Sequence, residues 1–424
     1  MKIEQDQIST INKTSWQQHN EAFDHLASTI KHIDVEDIIS TLAEFQIAIP
    51  SWALGAGGTR FGRFRFGGEP ATLAQKLNDI GVLHSLTGSA GAVSLHIPWD
   101  IPEDYKAIKE IASSHNIEFD AVNSNTFQDQ PDAQHSYKFG SLSHIHRDIR
   151  NQAIAHNKEV IDIGTKLGSK SLTIWLADGS SFPGQHNFQK AFSHTRESIV
   201  DIYNYMPEDW KLFIEYKPYE PNFYSTVIQD WGTSLLLANA CGERAFTLVD
   251  LGHHLPNTNI EQIVATLMLH GKLGGFHFND SKYGDDDLTV GAIKPYALFL
   301  IFNELVYGMK HNTNNPTPSW MIDASHNIKD PLEDLLQSLD AAMIAYAKAM
   351  LIDQKKLSEA QQSNDVSRCQ EILKDAYLTD VRPIVQQARL NVSAALHPLE
   401  AYRSLNVRKQ LIKERGLKTA ATGL

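Results

Sequence analysis

The sequence predicts an α/β protein, a (β/α)8 TIM barrel with helical extensions at its N-terminal and C-terminal ends. The first observation is that short apolar runs alternate with helical patterns along most of the 424 residues. The second is that Glu215, Asp250, His277 and Asp323 each stand near the carboxyl end of a predicted strand. They are separated by 35, 27 and 46 positions, which are suitable lengths for βα units. Such a barrel builds its active site at that end, so these four side chains are expected to converge at its mouth.

Length and composition agree with this fold and limit the partners. A barrel needs about 250 residues, and we divide the chain into N-terminal helices over 1–43, the catalytic barrel over 44–345 and C-terminal helices over 346–424. The formal net charge of −12 disfavours a general affinity for nucleic acid or for an anionic membrane. The two cysteines, Cys241 and Cys369, are too few for a disulfide framework, and the N-terminus is polar, so we expect a cytoplasmic protein.

Both ends of the chain are predicted to be helical. Trp16 and the apolar residues after it recur at helical spacing, and Asp34 is a suitable N-cap for a helix over 35–45. The basic close of the chain, 408–418, is interpreted as a solvated helix face.

The first four predicted strands end in aromatic residues. They cover 45–52, 92–96, 119–123 and 171–175. Trp52, Trp99, Phe127 and Trp175 lie just past these strand ends, and four aromatics at equivalent positions predict an apolar wall around a small substrate. His96 is either a satisfied interior histidine or a group that binds a substrate hydroxyl.

A glycine-rich run over 55–68 follows the first strand. A dinucleotide-binding fingerprint is rejected because Arg60 occupies the place of its third glycine. Interleaved Arg and Phe also occur in single-strand RNA binders, but a short run on an acidic chain does not support that function. We predict a loop over the mouth, in which Phe61, Phe64 or Phe66 covers the substrate or inserts into a neighbouring subunit.

The last four predicted strands carry the polar residues named first. Three carboxylates and one imidazole form a ligand set for a hard or borderline divalent cation. Beyond the strand that holds His277, the run 285–287 contains three consecutive aspartates, which repel one another unless water or a cation screens them. The alternative interpretation of that run is a solvated acidic turn.

A second cation site is predicted beside the first. His253 lies three residues after Asp250, and Asp285 and Asp287 form an i, i+2 pair that can direct two carboxylates to one cation. With Glu215 as a bridge, five carboxylates would then balance two dications and one lysine, Lys217.

The sequence around these residues closely resembles the L-rhamnose isomerase family of the broad-specificity bacterial type. The motifs that carry the resemblance lie at 214–218, 249–254, 276–295 and 321–326. The likeness covers nearly the whole chain, including the glycine-rich loop and the C-terminal helices.

The resemblance implies a two-metal aldose–ketose isomerase with a xylose-isomerase-like barrel, assembled as a homotetramer. Mn²⁺ is the usual cation, and Co²⁺, Mg²⁺ or Zn²⁺ can replace it. By the resemblance, the structural cation is held by Glu215, Asp250, His277 and Asp323. The catalytic cation is held by Glu215, His253, Asp285 and Asp287. Phe61 would reach a neighbouring subunit's site.

The implied reaction converts L-rhamnose to L-rhamnulose, and acts on other aldoses, by a hydride shift between C1 and C2. Catalytic roles are assigned to Lys217, Asp323, His253 and Asp285. Lys217, expected to be unpaired, would stabilise charge that develops on O1, while the aromatic wall excludes water and receives a 6-deoxy methyl group. A cis-enediol route with a general base stays open.

Three other functions compete with this one. An endonuclease-IV-like phosphodiesterase on the same kind of barrel would need a cationic groove, which the acidic balance disfavours. A one-metal sugar epimerase or dehydratase would not need Asp285 and Asp287 as ligands. A metal-stabilised scaffold without catalysis would not explain a second site beside a free lysine.

Overall fold

Eight parallel strands close into a barrel in the computed structural model, which describes residues 2–30, 33–55, 64–220, 224–312, 314–324 and 328–419. In chain order the strands are β1 (Ala48–Pro50), β2 (Ala92–Ile97), β3 (Glu118–Ser124), β4 (Ser171–Trp175), β5 (Gly179–Ser180), β6 (Lys211–Glu215), β7 (Tyr219–Glu220), β8 (Tyr224–Thr226), β9 (Ala245–Asp250), β10 (Leu273–Phe278) and β11 (Ser319–Ile322). Around the barrel the order is β1, β11, β10, β9, β6, β4, β3 and β2. The predicted (β/α)8 barrel is confirmed.

Helices surround the barrel and extend both ends of the chain. They are α1 (Gln5–Lys13), α2 (Trp16–Thr29), α3 (Val35–Glu44), α4 (Leu73–Thr87), α5 (Tyr105–Ser114), α6 (Arg147–Leu167), α7 (Phe188–Tyr205), α8 (Trp231–Cys241), α9 (Ile260–Leu269), α10 (Pro295–His311), α11 (Pro331–Met350), α12 (Gln354–Gln362), α13 (Val366–Leu378), α14 (Arg382–Asn391), α15 (Pro398–Ser404) and α16 (Val407–Arg415). Each of α4 to α11 follows a barrel strand. The predicted N-cap of α3 is confirmed, because the Asp34 side chain accepts hydrogen bonds from two backbone N–H groups.

The N-terminal and C-terminal helices pack against each other. α14 contacts both α2 and α3, and the two ring nitrogens of His19 lie 3.1 and 3.0 Å from the Oε1 atoms of Gln386 and Gln387. Trp16 does not belong to this packed face, since it is 49% exposed.

The predicted domain boundary at residue 345 falls inside the continuous helix α11. Among the described residues, no single helix is long and apolar enough to span a membrane, and one bent pair, α11 with α12, passes on length and composition.

Alternation along β10 separates the core from the mouth. Phe276 and Phe278 point outward, where their rings stack with centroids 5.0 Å apart and pack on Trp320 and Phe302. His277, between them, therefore points into the barrel. This is the period-2 pattern that predicted the strand.

Below the polar residues, two aromatic rings fill the barrel interior. Phe213 and Phe246 face each other there with ring centroids 6.5 Å apart. A Cβ at Gly274 would lie 2.6 Å from the Phe246 side chain and 2.7 Å from the Phe213 ring. Glycine at this position gives both rings room and closes the barrel beneath the candidate site.

Two features of the mouth were not predicted. The strand expected over 45–52 is short, and a 3-10 helix over Ser51–Leu54 follows it. A small antiparallel sheet of order β5, β8, β7 stands beyond the ends of β4 and β6. Its strands have two or three residues each, too few to show a hydrophobic period.

The prediction that 408–418 is a solvated helix face is wrong for its two arginines, although its lysines are exposed. The Arg415 guanidinium donates to both carboxylate oxygens of Asp79 on α4 at 2.7 Å, and both side chains are 1% exposed. Arg408 makes a similar pair with Asp330. Burial raises the pKa of Asp79, and the guanidinium of Arg415 opposes that shift. Arg408 and Arg415 are therefore turned inward and attach the C-terminal helix to the barrel, whereas Lys409 and Lys413 of the same helix are exposed.

Replacing Arg415 by Met should destabilise the protein, because it leaves the Asp79 carboxylate buried and unpaired. We expect the free energy of unfolding to fall by about 3–5 kcal/mol, measured by urea denaturation at constant protein concentration. The control is Asp201→Asn, which removes the partner of Arg147 in an exposed pair and should change little. Similar small losses in both variants would contradict the assignment.

Candidate metal centre

Four strand ends bring the predicted ligands together at the mouth. One ligand atom from each of Glu215, Asp250, His277 and Asp323 lies within 4.8 Å of the others. The strand register places His277 beside Asp250 on one side and beside Met321, two residues before Asp323, on the other. The first three residues are buried, and Asp323 is half-buried. The group could hold a metal ion.

The imidazole of His277 shows that this donor set fits a cation. Its Nδ1 lies 3.2 Å from Glu215 Oε1, 3.4 Å from Asp323 Oδ2 and 3.7 Å from Asp250 Oδ2. Among the described residues, however, neither ring nitrogen has an aligned hydrogen-bond partner. Burial lowers the pKa of His277, but the nearby carboxylates of Glu215 and Asp323 together outweigh it and raise the pKa well above its ordinary value. A buried nitrogen that faces three carboxylate oxygens without an aligned hydrogen bond to any of them fits a ligand position, and its oxygen-rich surroundings suit a hard or borderline divalent ion.

Asp250 is held in place by two donors. The amide of Asn279 donates to both of its oxygens at 3.0 and 3.1 Å, and the backbone N–H of Gly252 donates to Oδ1 at 2.7 Å. Burial raises the pKa of Asp250 to about 6, and the charge of Glu215 acts in the same direction. The role of Asn279 was missed, although its position two residues after His277 on the same face was a usable signal.

Asp323 is oriented by a tryptophan from the opposite end of the barrel sequence. The indole Nε1 of Trp52 donates to Asp323 Oδ1 at 2.8 Å, across 271 positions. Closure of the barrel makes this contact, because it pairs β1 with β11. Trp52 was predicted only as part of the apolar wall.

Two members of the second predicted ligand set, Glu215 and Asp285, lie close to a third, His253. Its Nδ1 lies 3.0 Å from the Tyr216 carbonyl oxygen and 3.3 Å from Glu215 Oε1, while its Nε2 lies 3.0 Å from Asp285 Oδ1. Burial lowers the pKa of His253, but the charges of Asp250 and Asp285 outweigh it and raise the pKa to about 8. In the described part of the chain, these residues do not converge on one point as the first four do.

The acidic loop is organised by its middle aspartate. Asp286 accepts hydrogen bonds from the backbone N–H groups of Lys282, Tyr283 and Gly284 at 2.7 to 2.9 Å. Asp285 and Asp287 on either side adopt left-handed backbone angles, with φ of 52° and 48°.

This arrangement turns Asp285 and Asp287 toward the protein. Burial, and then the charge of Asp285, raises the pKa of Asp287 well above its ordinary value. Two partly buried carboxylates, in a loop that Asp286 orders through its backbone hydrogen bonds, argue against the alternative of a solvated acidic turn.

Lys217 lies at the edge of the cluster, but the expectation that it is unpaired is wrong. Its Nζ donates to Glu220 Oε2 at 2.6 Å and to Asp285, and it lies 5.1 Å from the centroid of the Trp175 ring. Lys217 is only 2% exposed, and a buried ammonium group requires such partners. Glu220 was missed because it belongs to the small sheet that the sequence did not reveal.

The predicted aromatic wall is continuous. Ring centroids are separated by 5.3 Å from Trp52 to His96, 4.7 Å from His96 to Trp99, 5.7 Å from His96 to Phe127 and 4.7 Å from Phe127 to Trp175. The structure thus brings these five residues together opposite the acidic cluster. Their part in substrate binding stays a prediction.

His96 lies in the middle of this wall, and its part in binding a substrate hydroxyl stays a prediction. Its Nδ1 is buried and has no hydrogen-bond partner among the described residues. Burial lowers the pKa of His96 to about 4, so the ring is neutral near pH 7. Phe61, predicted to reach a neighbouring subunit, lies outside the described residues.

The closed barrel and its ligand cluster define a TIM-barrel protein with a candidate metal centre. The fold is shared with two solved structures. The 3-keto-D-glucoside 4-epimerase of E. coli has a TM-score of 0.51 at 10% identity, covering 70% of this chain and 98% of that one. An L-ribulose 3-epimerase has a TM-score of 0.50 at 13% identity, covering 76% and 98%. No protein-family model matches the sequence.

Sequence comparison identifies the family. A probable sugar isomerase of Rhizobium meliloti is 51% identical over 383 residues, covering 90% of this chain and 89% of the relative. A probable sugar isomerase of Mesorhizobium japonicum is 50% identical over 391 residues, covering 92% and 91%. The xylose isomerase of Thermus thermophilus is 23% identical over 284 residues, covering 62% and 69%. The chain belongs to the family of these probable sugar isomerases.

Replacing Asp286 by Ala should weaken cation binding although Asp286 is not a predicted ligand. The change removes the acceptor of three backbone hydrogen bonds and loosens the loop that carries Asp285 and Asp287. We expect the Kd for Mn²⁺ to rise about tenfold, by isothermal titration of metal-stripped protein. Asp286→Asn keeps one carbonyl oxygen and should lose less. Unchanged binding in the alanine variant would show that the loop does not order these carboxylates.

Proposed function

We propose that this protein is a metal-dependent aldose–ketose isomerase that converts L-rhamnose to L-rhamnulose and also accepts other aldoses. The observation that carries the proposal is the buried ligand cluster around His277, which faces a continuous aromatic wall across one mouth. Membership in a family whose relatives are named probable sugar isomerases supports the substrate class. The aromatic wall offers a surface for the 6-deoxy methyl group of L-rhamnose.

The donor residues support two cation sites, each suited to Mn²⁺, with Co²⁺, Mg²⁺ or Zn²⁺ as alternatives. One site would be formed by Glu215, Asp250, His277 and Asp323. The other would be formed by Glu215, His253, Asp285 and Asp287. When bound, divalent cations would polarise the sugar carbonyl as Lewis acids and hold the neighbouring oxygens in register.

The side chains around the mouth have separate tasks in this reaction. Lys217, held by Glu220 and Asp285, would donate to O1 and stabilise the negative charge that develops there. Asp323, His253 and Asp285 border the same space and are the other candidate catalytic residues. His96, with its unpartnered Nδ1, would bind a sugar hydroxyl.

The proposed conversion is internally balanced. The C2–H bond breaks as hydrogen moves with its electron pair to C1, where the new C–H bond forms. The proton of the O2 hydroxyl passes to O1, so no outside oxidant or reductant is needed. Trp52, Trp99, Phe127 and Trp175 would exclude water during this transfer.

We further propose that the protein assembles as a homotetramer in which Phe61 reaches a neighbouring subunit's mouth. The support is the resemblance of the glycine-rich loop to that of the L-rhamnose isomerase family.

A second candidate function is a one-metal sugar epimerase or dehydratase. It is favoured by one observation: in the described part of the chain, only the first four ligands converge on one point. Product analysis separates the two, because an isomerase yields a ketose and an epimerase yields a sugar of the same carbonyl type.

Chelation should abolish ketose formation. We expect turnover with L-rhamnose, L-mannose, L-lyxose or D-allose to disappear in EDTA and to return with Mn²⁺, followed by colorimetric ketose detection and chromatography. Asp285→Asn should lower the rate by about tenfold or more, whereas the exposed Asp201→Asn should not. Turnover that survives EDTA would remove the metal-dependent function.

Isomerisation in D2O should leave the product carbons almost free of solvent deuterium. A hydride shift moves the original hydrogen from C2 to C1, whereas an enediol route exchanges it through a general base. NMR or mass spectrometry of the ketose measures the label, and ketose incubated without enzyme is the control. Extensive deuterium at C1 would support the enediol route.

A further inference from the structure

We propose that Trp52 is a positioning residue for the metal ligand Asp323. We further propose that a buried chain of hydrogen bonds, which runs from Lys76 through Asp100 to Ser51 and is called the relay below, holds Trp52 in place. The inference rests on the cation-binding part of the proposed function, and it concerns residues that donate nothing to the cation themselves.

The first step is the hydrogen bond between the indole and the carboxylate. Trp52 Nε1 donates to Oδ1 of Asp323 at 2.8 Å, while Oδ2 of the same carboxylate lies 3.4 Å from His277 Nδ1. Oδ1 is thereby bonded to Trp52, outside the ligand cluster, and Oδ2 faces His277 inside it. The side chain of Asp323 is 21% exposed, whereas that of Asp250 is fully buried, so Asp323 has the less enclosed carboxylate. The orientation of the Asp323 carboxylate therefore depends more on its hydrogen-bond donor, Trp52, than on enclosure by its surroundings.

The second step connects Trp52 to the neighbouring strand. Ser51, directly before Trp52 in the 3-10 helix, donates its hydroxyl to Asp100 Oδ2. The same oxygen accepts a hydrogen bond from the backbone N–H of His96 at 2.8 Å. One carboxylate therefore joins the end of β1, which leads to Trp52, to the end of β2, which carries His96.

The third step is the buried ammonium that pairs with this carboxylate. Lys76 Nζ of α4 donates to Asp100 Oδ1 at 2.7 Å, and the two side chains are 0% and 1% exposed. An isolated buried charge is strongly unfavourable, whereas a paired one persists. With both oxygens occupied, Asp100 can rotate little, and the position of Ser51 is set by helix α4.

A buried ion pair could also serve stability alone, and α4 provides the comparison. Asp79, three residues after Lys76, forms an equally buried pair with Arg415 that attaches the C-terminal helix. The Lys76–Asp100 pair instead bonds to Ser51 and His96 at the mouth. The two possible roles of the Lys76–Asp100 pair predict different results. A pair that only stabilises the fold would affect the free energy of unfolding and leave the affinity for the cation unchanged.

The direct test is Trp52→Phe, which keeps an aromatic ring but removes the indole N–H. We expect the Kd for Mn²⁺ to rise about tenfold or more in isothermal titration of metal-stripped protein. The matched control is Trp210→Phe, which also removes a buried indole but lies directly before β6, at the end of the barrel away from the mouth. That variant should stay within about twofold of wild type in its Kd for Mn²⁺, since no donor to a predicted ligand is lost. A Trp52→Phe variant that binds Mn²⁺ as tightly as Trp210→Phe would overturn the positioning role.

The relay is tested by Ser51→Ala, a change small enough to preserve folding even if Trp52→Phe does not. Loss of one hydrogen bond should raise the Kd for Mn²⁺ roughly threefold to tenfold, and Ser51→Thr, which keeps the hydroxyl, should restore it. Ser124→Ala is the control, because the hydroxyl of Ser124 is buried at the end of β3 without a partner among the described residues. Identical Kd values for Ser51→Ala and Ser124→Ala would overturn the relay.

The tests of Trp52 and of the relay can be judged separately from the proposed reaction. Wild-type protein that binds Mn²⁺ but forms no ketose would refute the isomerase and leave the relay to be judged on Kd alone. Wild-type protein that binds no divalent cation would overturn both.

Discussion

The mutual repulsion of carboxylates inside a closed barrel is the constraint on which the rest of this structure depends. Glu215, Asp250 and Asp323 surround the imidazole of His277 at the mouth, where all but Asp323 are buried. Burial raises the pKa of Asp250, and the charges of Glu215 and Asp323 act in the same direction. Such a cluster persists only if protons, donors or a cation compensate it, and the surrounding contacts supply donors to Asp250 and Asp323 while leaving His277 without aligned bonds.

The mouth is divided according to chain order. The ends of β1 to β4 contribute Trp52, His96, Trp99, Phe127 and Trp175, while β6, β9, β10 and β11 contribute the acids and the imidazole. Parallel strands deliver both groups to the same end of the barrel. Lys217 lies where the two halves meet, over the Trp175 ring and paired with Asp285. An aromatic wall that faces an acidic cluster is suited to a ligand that has hydroxyl groups at one end and an apolar group at the other.

Much of this was readable from sequence because strand ends and ligand positions are local signals. Period-2 alternation located β10 and directed His277 inward, and the spacing of the acids matched βα units. What was missed depends on contacts between distant segments. The Trp52–Asp323 bond exists only because closure pairs β1 with β11, and the inward turn of Arg415 depends on a carboxylate 336 positions away. Glu220 stands on a two-residue strand that has no sequence pattern.

The pairing of Lys217 changes the charge balance that sequence alone suggested. Five carboxylates set against two dications and one ammonium would be neutral, but Glu220 adds a sixth carboxylate that shares the same ammonium. The side chain of Glu220 is 11% exposed, against 10% for Asp285, so this sixth carboxylate is also mostly buried and depends on the ammonium of Lys217. With two cations bound, six carboxylates and five positive charges would leave one net negative charge around the mouth. Lys217 stays fixed between Glu220 and Asp285, at the border of the aromatic wall, instead of being drawn fully toward the ligand cluster.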